Sequence, residues 1–279
     1  MKTRITILCD NYAGKPFLIG EHGFSALIEQ GDKSFLFDTG SGIGLASNLK
    51  LLGKNLKGVS RIFLSHGHYD HTGGLAWAIQ ETGPVNVTAH PELFSRHMVK
   101  SPLFEASEPR YIGSPSTQNE LESLGAAFTW IDRTTKVEDG LWFVTGVPCK
   151  PEQTLHDPQL VLKQGDAVVQ DTIVDDASLL IETDTDPVLL LGCAHAGVMN
   201  ILDHLRDTMK IQKLRAILGG THLMFFSPER TRAVIDKIEE FGVEQIAVSH
   251  CTGMKATVAL GAYFKERFAA AVTGSEFSF

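Results

Sequence analysis

Four times along this sequence a short apolar run ends in a histidine. Ile62-Phe63-Leu64 leads through Ser65 to His66, and Val188-Leu189-Leu190-Leu191-Gly192-Cys193-Ala194 leads to His195. Arg215-Ala216-Ile217-Leu218-Gly219-Gly220-Thr221 ends at His222, and Gln245-Ile246-Ala247-Val248-Ser249 at His250. Each run has the length of a strand, and each is followed by a helical pattern or a glycine-containing turn. In layered α/β proteins, ligands gather just outside the carboxyl ends of strands. One such unit carries little weight. Four of them point to histidines converging on one edge of a sheet.

The first unit is the densest. Ser65-His66-Gly67-His68-Tyr69-Asp70-His71 sets three imidazoles and a carboxylate close together. Such groups crowd one another, and burying them is costly unless a cation holds them. Neutral imidazole with carboxylate is a donor set that suits Zn²⁺ and its borderline neighbours. In an extended turn His66 and His68 point the same way, because side chains alternate with a period of two. Asp70 and His71 fall at the entry of the helix suggested by Thr72 to Ile79 and aim at a neighbouring point. Two adjacent foci imply two metal ions, or one metal beside an open site. The plainer explanations are a histidine-rich surface turn or a purification tag, but a tag sits at a terminus and lacks the aspartate.

The 279 residues suffice for one large domain or two closely packed halves. A net charge of −8 with no run of Lys and Arg speaks against a nucleic-acid-binding surface. The apolar part of the first strand is too short for a secretory signal, and no segment has the apolar length of a membrane span. The four cysteines, Cys9, Cys149, Cys193 and Cys251, form no C-x-x-C pair. The expectation is a cytoplasmic protein.

Strand signals cover Arg4 to Cys9, a hairpin from Gly23 to Phe37, and Val85 to Ala89, with helix around Ala46 to Leu52. Residues from about Pro91 to Gln118 carry four prolines among Ser, Glu and the aromatics Phe94, Phe104 and Tyr111. This stretch reads as an irregular or partly helical insertion, about 91–125, packed on the body or closing over the site as a lid. A second half follows, with strands at Leu141 to Thr145, Ser178 to Glu182, Val188 to Leu191, Arg215 to Leu218 and Gln245 to Val248. Helices are expected at Met199 to Met209 and Pro228 to Phe241, the latter with Ser227 as N-cap and Gly242 after its end. Both halves run sheet first, then helix, which suggests two sheets face to face with helices outside. The apolar stretch Phe268 to Val272, with Phe277 and Phe279, docks either on the body or on a second copy in a homodimer; the body is the expectation.

Ser65 to His71 matches the His-x-His-x-Asp-His signature of the metallo-β-lactamase superfamily. Glu21-His22-Gly23-Phe24-Ser25, Phe37-Asp38-Thr39-Gly40, Gly192-Cys193-Ala194-His195, Gly219-Gly220-Thr221-His222 and His250-Cys251-Thr252-Gly253 extend the likeness over nearly the whole chain. Together they resemble the branch that includes 7,8-dihydropterin-6-methyl-4-(β-D-ribofuranosyl)aminobenzene-5′-phosphate synthases. That resemblance implies a single α/β domain, an αββα sandwich of two mixed sheets with the metals at one edge. It implies two divalent ions, zinc being expected and manganese or iron the alternatives. His66, His68 and a third histidine would hold the first; Asp70, His71 and His250 the second.

Glyoxalase II-like members carry the third histidine before a hairpin and a Gly-Asp after it. Here the hairpin ends in Gly192-Cys193-Ala194-His195, with Asp175-Asp176 before it, so His195 is assigned as the third ligand. Cys193 either stands in for the bridging aspartate or is a small buried hydrophobe. His222 lies where tRNA-trimming relatives place a histidine that assists catalysis without holding metal, which makes it a proton donor or a phosphate contact; the alternative is a structural histidine hydrogen-bonded at its loop. Asp38 is either an orienting partner of a ligand imidazole or a turn cap, and His22 and Asn11 are pocket candidates. His90, His97, His156 and His204 carry no assignment.

The resemblance implies hydrolysis of a small, phosphorylated, pterin- or nucleotide-like molecule by a metal-activated hydroxide, with Asp70 orienting it and His222 as proton donor. Thioester or lactone hydrolysis is an alternative on the same fold. So is a mononuclear-iron, sulfur-oxidising oxygenase; the di-iron oxygen-reducing branch carries a glutamate where this chain has His68.

Overall fold

Val188–Leu191 is apolar at every position and buried on both faces, and that double burial sets the architecture. In the computed structural model, Val188 and Leu190 face an inner core while Leu189 and Leu191 face an outer one. The same period of two divides Phe35 and Phe37 from Leu36 on the opposite layer. The structure describes residues 2–100, 109–154 and 157–279.

Two seven-stranded mixed sheets lie face to face. The first runs, in spatial order, Glu276–Ser278, Thr3–Cys9, Ser25–Gln30, Lys33–Phe37, Val59–Phe63, Val85–Ala89 and Ala126–Trp130. The second runs Phe268–Ala270, Val243–Ser249, Leu214–Gly220, Val188–Leu191, Ala177–Ile181, Leu141–Thr145 and Thr135–Glu138. Between them Phe24, Phe35, Phe37, Phe63 and Phe143 interdigitate with Leu179, Ile181, Leu190 and Leu218. Each of these side chains, fully buried, stabilises the fold by roughly 1.5–3 kcal/mol. Helices Leu45–Leu51 and Leu75–Thr82 cover the first sheet, and Val198–Met209, Pro228–Glu240 and Met254–Phe264 cover the second. This is the αββα sandwich that the resemblance implies. Among the described residues no helix is long and apolar enough to cross a membrane.

The expected elements form with small boundary shifts. Ser227 caps its helix by accepting a bond from the Arg230 N–H at 3.3 Å, and Gly242 beyond the end takes φ +72°. The phenylalanine-bearing segment after residue 267 docks on the protein's own body. Phe268–Ala270 pairs in parallel with Val243–Ser249, and Glu276–Ser278 pairs antiparallel with Thr3–Cys9.

The insertion differs from an irregular or helical stretch. Besides the helix Gln118–Ser123 it contains strands His97–Val99 and Arg110–Tyr111, which join Leu160–Gln164 and Ala167–Gln170 in a small four-stranded sheet. Its pairing partners lie some sixty residues on (Met98 opposite Val161), so no local pattern could announce them. Pro102 and Phe104 of the insertion, and His156, lie outside the described residues.

Candidate metal centre

The site lies where parallel strands end. After Val59–Phe63 the chain stays extended through His68 (φ −65°, ψ 147°), then makes a one-turn helix, Tyr69–Thr72. Gly73 and Gly74 separate this turn from the helix Leu75–Thr82, so Asp70 and His71 sit on their own short element. Asp38, Ala194, His222 and His250 all have left-handed backbones, with φ between 48° and 57°. Such a residue costs about 1–3 kcal/mol and persists where its surroundings hold it. Half of the eight such non-glycine residues described here follow four of the strands that lead into the site, Lys33–Phe37, Val188–Leu191, Leu214–Gly220 and Val243–Ser249.

His66, His68 and His195 form one focus. His66 Nε2 lies 3.0 Å from His68 Nδ1 and 3.3 Å from His195 Nε2. Asp70, His250 and His22 form a second: Asp70 Oδ2 is 3.2 Å from both His250 Nε2 and His22 Nε2. His71 joins the two, its Nε2 3.3 Å from His250 Nε2 and its ring centroid 4.2 Å from that of His66. The sequence thus places His66 with His68, and Asp70 beside rather than among them. His222 packs against His195, the ring centroids 4.3 Å apart and the planes tilted by 52°.

A second layer of hydrogen bonds orients these rings. Asp38 Oδ2 accepts from His71 Nδ1 and from Ser65 Oγ, each at 2.7 Å, and Asp38 Oδ1 accepts from the Ser65 N–H at 2.7 Å. Ser65 Oγ in turn accepts from His66 Nδ1 at 2.9 Å. One carboxylate therefore fixes the proton on Nδ1 of both rings, leaving each Nε2 a lone pair. Asn11 Oδ1 accepts from His250 Nδ1 at 2.8 Å, and Asp10 Oδ1 accepts from the His250 N–H at 2.7 Å. Asp38 is thus more than a turn cap, and Asn11 touches a site imidazole.

Sequence reasoning missed part of this layer. His97 is 1% exposed, bonds Asp171 through Nδ1 at 2.6 Å and packs on His68 at 5.1 Å between centroids. Asp175 accepts from the Gly67 N–H at 2.7 Å, and Asp176 from the Ala196 N–H at 3.0 Å. The Asp175-Asp176 pair is visible ahead of its hairpin, but nothing local marks His97, Asp171 or Asp10. His90 and His204 are ordinary, bonding Glu92 and Thr134.

Burial pushes His66 and His195 well below the usual imidazole range and His68 down to about 3. For His250 burial acts the same way, yet Asp70, Cys251 and Asp10 outweigh it and push it up to about 9. Burial would raise Asp70, but the surrounding histidines hold it well below the carboxylate range. Asp176 is driven by burial up to about 7.

The first focus is therefore a set of neutral rings whose lone pairs face one another. Tetrahedral nitrogen ligands at about 2.0–2.1 Å from zinc lie about 3.3 Å apart, close to the separations found here. Donor atoms of His66, His68 and His195, and of His22, Asp70 and His250, each lie within 4.8 Å of one another. The donor set fits divalent metal.

A family model described as the metallo-beta-lactamase superfamily matches residues 18–155. A Methanocaldococcus jannaschii protein named 7,8-dihydropterin-6-methyl-4-(beta-D-ribofuranosyl)-aminobenzene-5'-phosphate synthase is 30% identical over 277 residues, covering 95% of this chain and 92% of that protein. A second, uncharacterized protein of the same organism is 34% identical over 261 residues, covering 92% and 93%. A crystal structure described as a metal-dependent hydrolase of the β-lactamase superfamily superposes with a TM-score of 0.84 at 25% identity, over 99% of this chain and 98% of that one.

Proposed function

Because this chain belongs to the metallo-β-lactamase superfamily, we propose that it is a dinuclear metal-dependent hydrolase of a small phosphorylated substrate with a pterin- or nucleotide-like ring. The observation that carries this reading is the pair of adjacent donor foci, His66–His68–His195 and Asp70–His250, joined by His71. In this reading the first three histidines hold one ion and Asp70, His71 and His250 the other. Divalent ions held there would lower the pKa of a bound water and polarise the bond under attack.

The chain's own residues supply the rest. Asp70 presents Oδ2 between two imidazoles and is held ionised, so it can orient an attacking water and accept its hydrogen bond. His22, whose side chain is 58% exposed, stands at the open side of the second focus, where an incoming substrate meets it first. In this reading His222, packed against His195, returns a proton to the leaving oxygen. Asp38, directly for His71 and through Ser65 for His66, keeps both rings in the tautomer that leaves Nε2 free.

A phosphorylated ligand is supported by the 30%-identical relative, which is named as the synthase of a phosphate-bearing dihydropterin compound. It also suits a chain of net charge −8, in which bound cations rather than a lysine surface would meet the phosphate.

Elemental mass spectrometry of untagged protein, followed by a phosphoester screen with the metal found, tests the reading. About two zinc or manganese ions per chain and turnover of a phosphoester are expected. A single iron per chain would replace it with oxygen-dependent sulfur chemistry. No metal, even after reconstitution, would end the catalytic reading.

A further inference from the structure

The Cys193 thiol has no task in the mechanism above, yet it occupies the middle of the site. It is 3% exposed on the segment that leaves Val188–Leu191, and its Sγ lies 3.2 Å from His71 Nε2. Within 4.8 Å it groups with His66 and His71, with His195 and His222, and with His250 and Cys251. This one sulfur therefore reaches donors of the first focus, His66 and His195, and of the second, His71 and His250. A cysteine serving as a small hydrophobe would pack among apolar side chains; this one faces imidazole nitrogens.

Nearby carboxylates are committed elsewhere. Asp70 Oδ2 lies 3.9 Å from His71 Nε2, on the side of His22 and His250. Asp175 and Asp176 bond the backbone of Gly67 and Ala196, and Asp38 lies behind His71 on its Nδ1 side. A sulfur stands at the point between the foci.

We propose that Cys193 is a thiolate ligand shared between the two metal ions. The proposal rests on the dinuclear reading and deepens it in two ways. A soft sulfur between the foci favours zinc, cobalt or iron over manganese or magnesium. It also sets the charge of the loaded site: with neutral imidazoles, the only anionic protein ligands are Asp70 and Cys193, so two dications and a still-neutral water keep a net charge of about +2. That matches the roughly −1.5 to −2 of a phosphate monoester near neutral pH. The Cys193 proton leaves to solvent as the first ion binds.

Cobalt(II) titration of metal-stripped protein tests this without assaying turnover. The wild type should bind two equivalents, with a thiolate-to-cobalt charge-transfer band in the near ultraviolet that grows through both. Cys193→Ser should abolish the band and weaken at least one equivalent. Cys193→Asp, which restores an anionic bridge, should bind two equivalents without the band. Cys251→Ser should retain it. Two bound equivalents with no band, a band complete after the first equivalent, or a band lost in Cys251→Ser but kept in Cys193→Ser would overturn the shared thiolate while leaving two metals standing. No cobalt binding in the wild type would overturn the dinuclear reading and the bridge together.

Discussion

Asp38→Asn tests the second layer of the site with little change of shape. Asparagine tolerates the left-handed backbone found at residue 38, φ +57°, and its amide oxygen can still accept from the Ser65 N–H. The amide nitrogen then faces Ser65 Oγ and His71 Nδ1, two positions where the carboxylate accepts. Ser65 can rotate its hydroxyl. His71 must move its proton to Nε2, the nitrogen 3.3 Å from His250 Nε2 that the metal reading needs free.

Hydrogen bonds to charged groups contribute about 1.5–3 kcal/mol each, and loss of an outer partner typically weakens metal binding about 10–100-fold. We expect a loss in that range, about 1.4–2.7 kcal/mol, measured by competition between stripped protein and a zinc chelator. Both equivalents should weaken, because the relay reaches His66 through Ser65. Ser65→Ala should weaken chiefly the equivalent held by His66. Unchanged affinity in Asp38→Asn would refute the orienting role; loss confined to one equivalent would refute the relay.

Two other outcomes follow from the same geometry. In stripped protein, His66, His68 and His195 have folded values below their unfolded ones, so their stabilisation is complete above about pH 6.5 and is lost as the pH falls through the folded values, about 3 for His68. Three such groups give a slope of up to about 4 kcal/mol per pH unit in guanidinium unfolding, opposed by up to about 1.4 from Asp176, which is raised to about 7 and so stabilises as the pH falls below that value; stability that fails to drop between about pH 6 and 4 would contradict the histidine reading. His250, raised to about 9, acts oppositely: its contribution is full below about 6.5 and fades as the pH rises through 9. Gly192→Ala would drive a Cβ into the Ser65 side chain beside Asp38 Oδ2; we expect a loss of about 1–3 kcal/mol and weakened metal binding, and unaltered stability and affinity would show that the relay tolerates displacement.

Most of what positions the site is written locally. Runs such as Val188 to Leu191 announce strands buried on both faces, and the histidine after each marks a strand end. The His66–His71 spacing separates its two foci because an extended pair is followed by a helical turn. Contacts made at a distance are not legible this way. His97 reaches Asp171 across 74 residues and Asp10 reaches His250 across 240, so each looks like a surface residue until the sheets meet. Cys193 is an intermediate case: its place after a strand is visible, but its central position appears only once His71 and His250 are set around it.

Glu276–Ser278 completes the edge beside Thr3–Cys9, while Phe268–Ala270 extends the opposite sheet, so a single short segment that follows every donor in the sequence clasps both layers. His66, His68, Asp70 and His71 ride on the first layer, and His195 and His250 on the second. Neither layer alone would present a full set of donors. On the metal reading, nascent chains would hold the ion loosely until the clasp shuts, and tight retention would then mark the molecules whose two halves have correctly met.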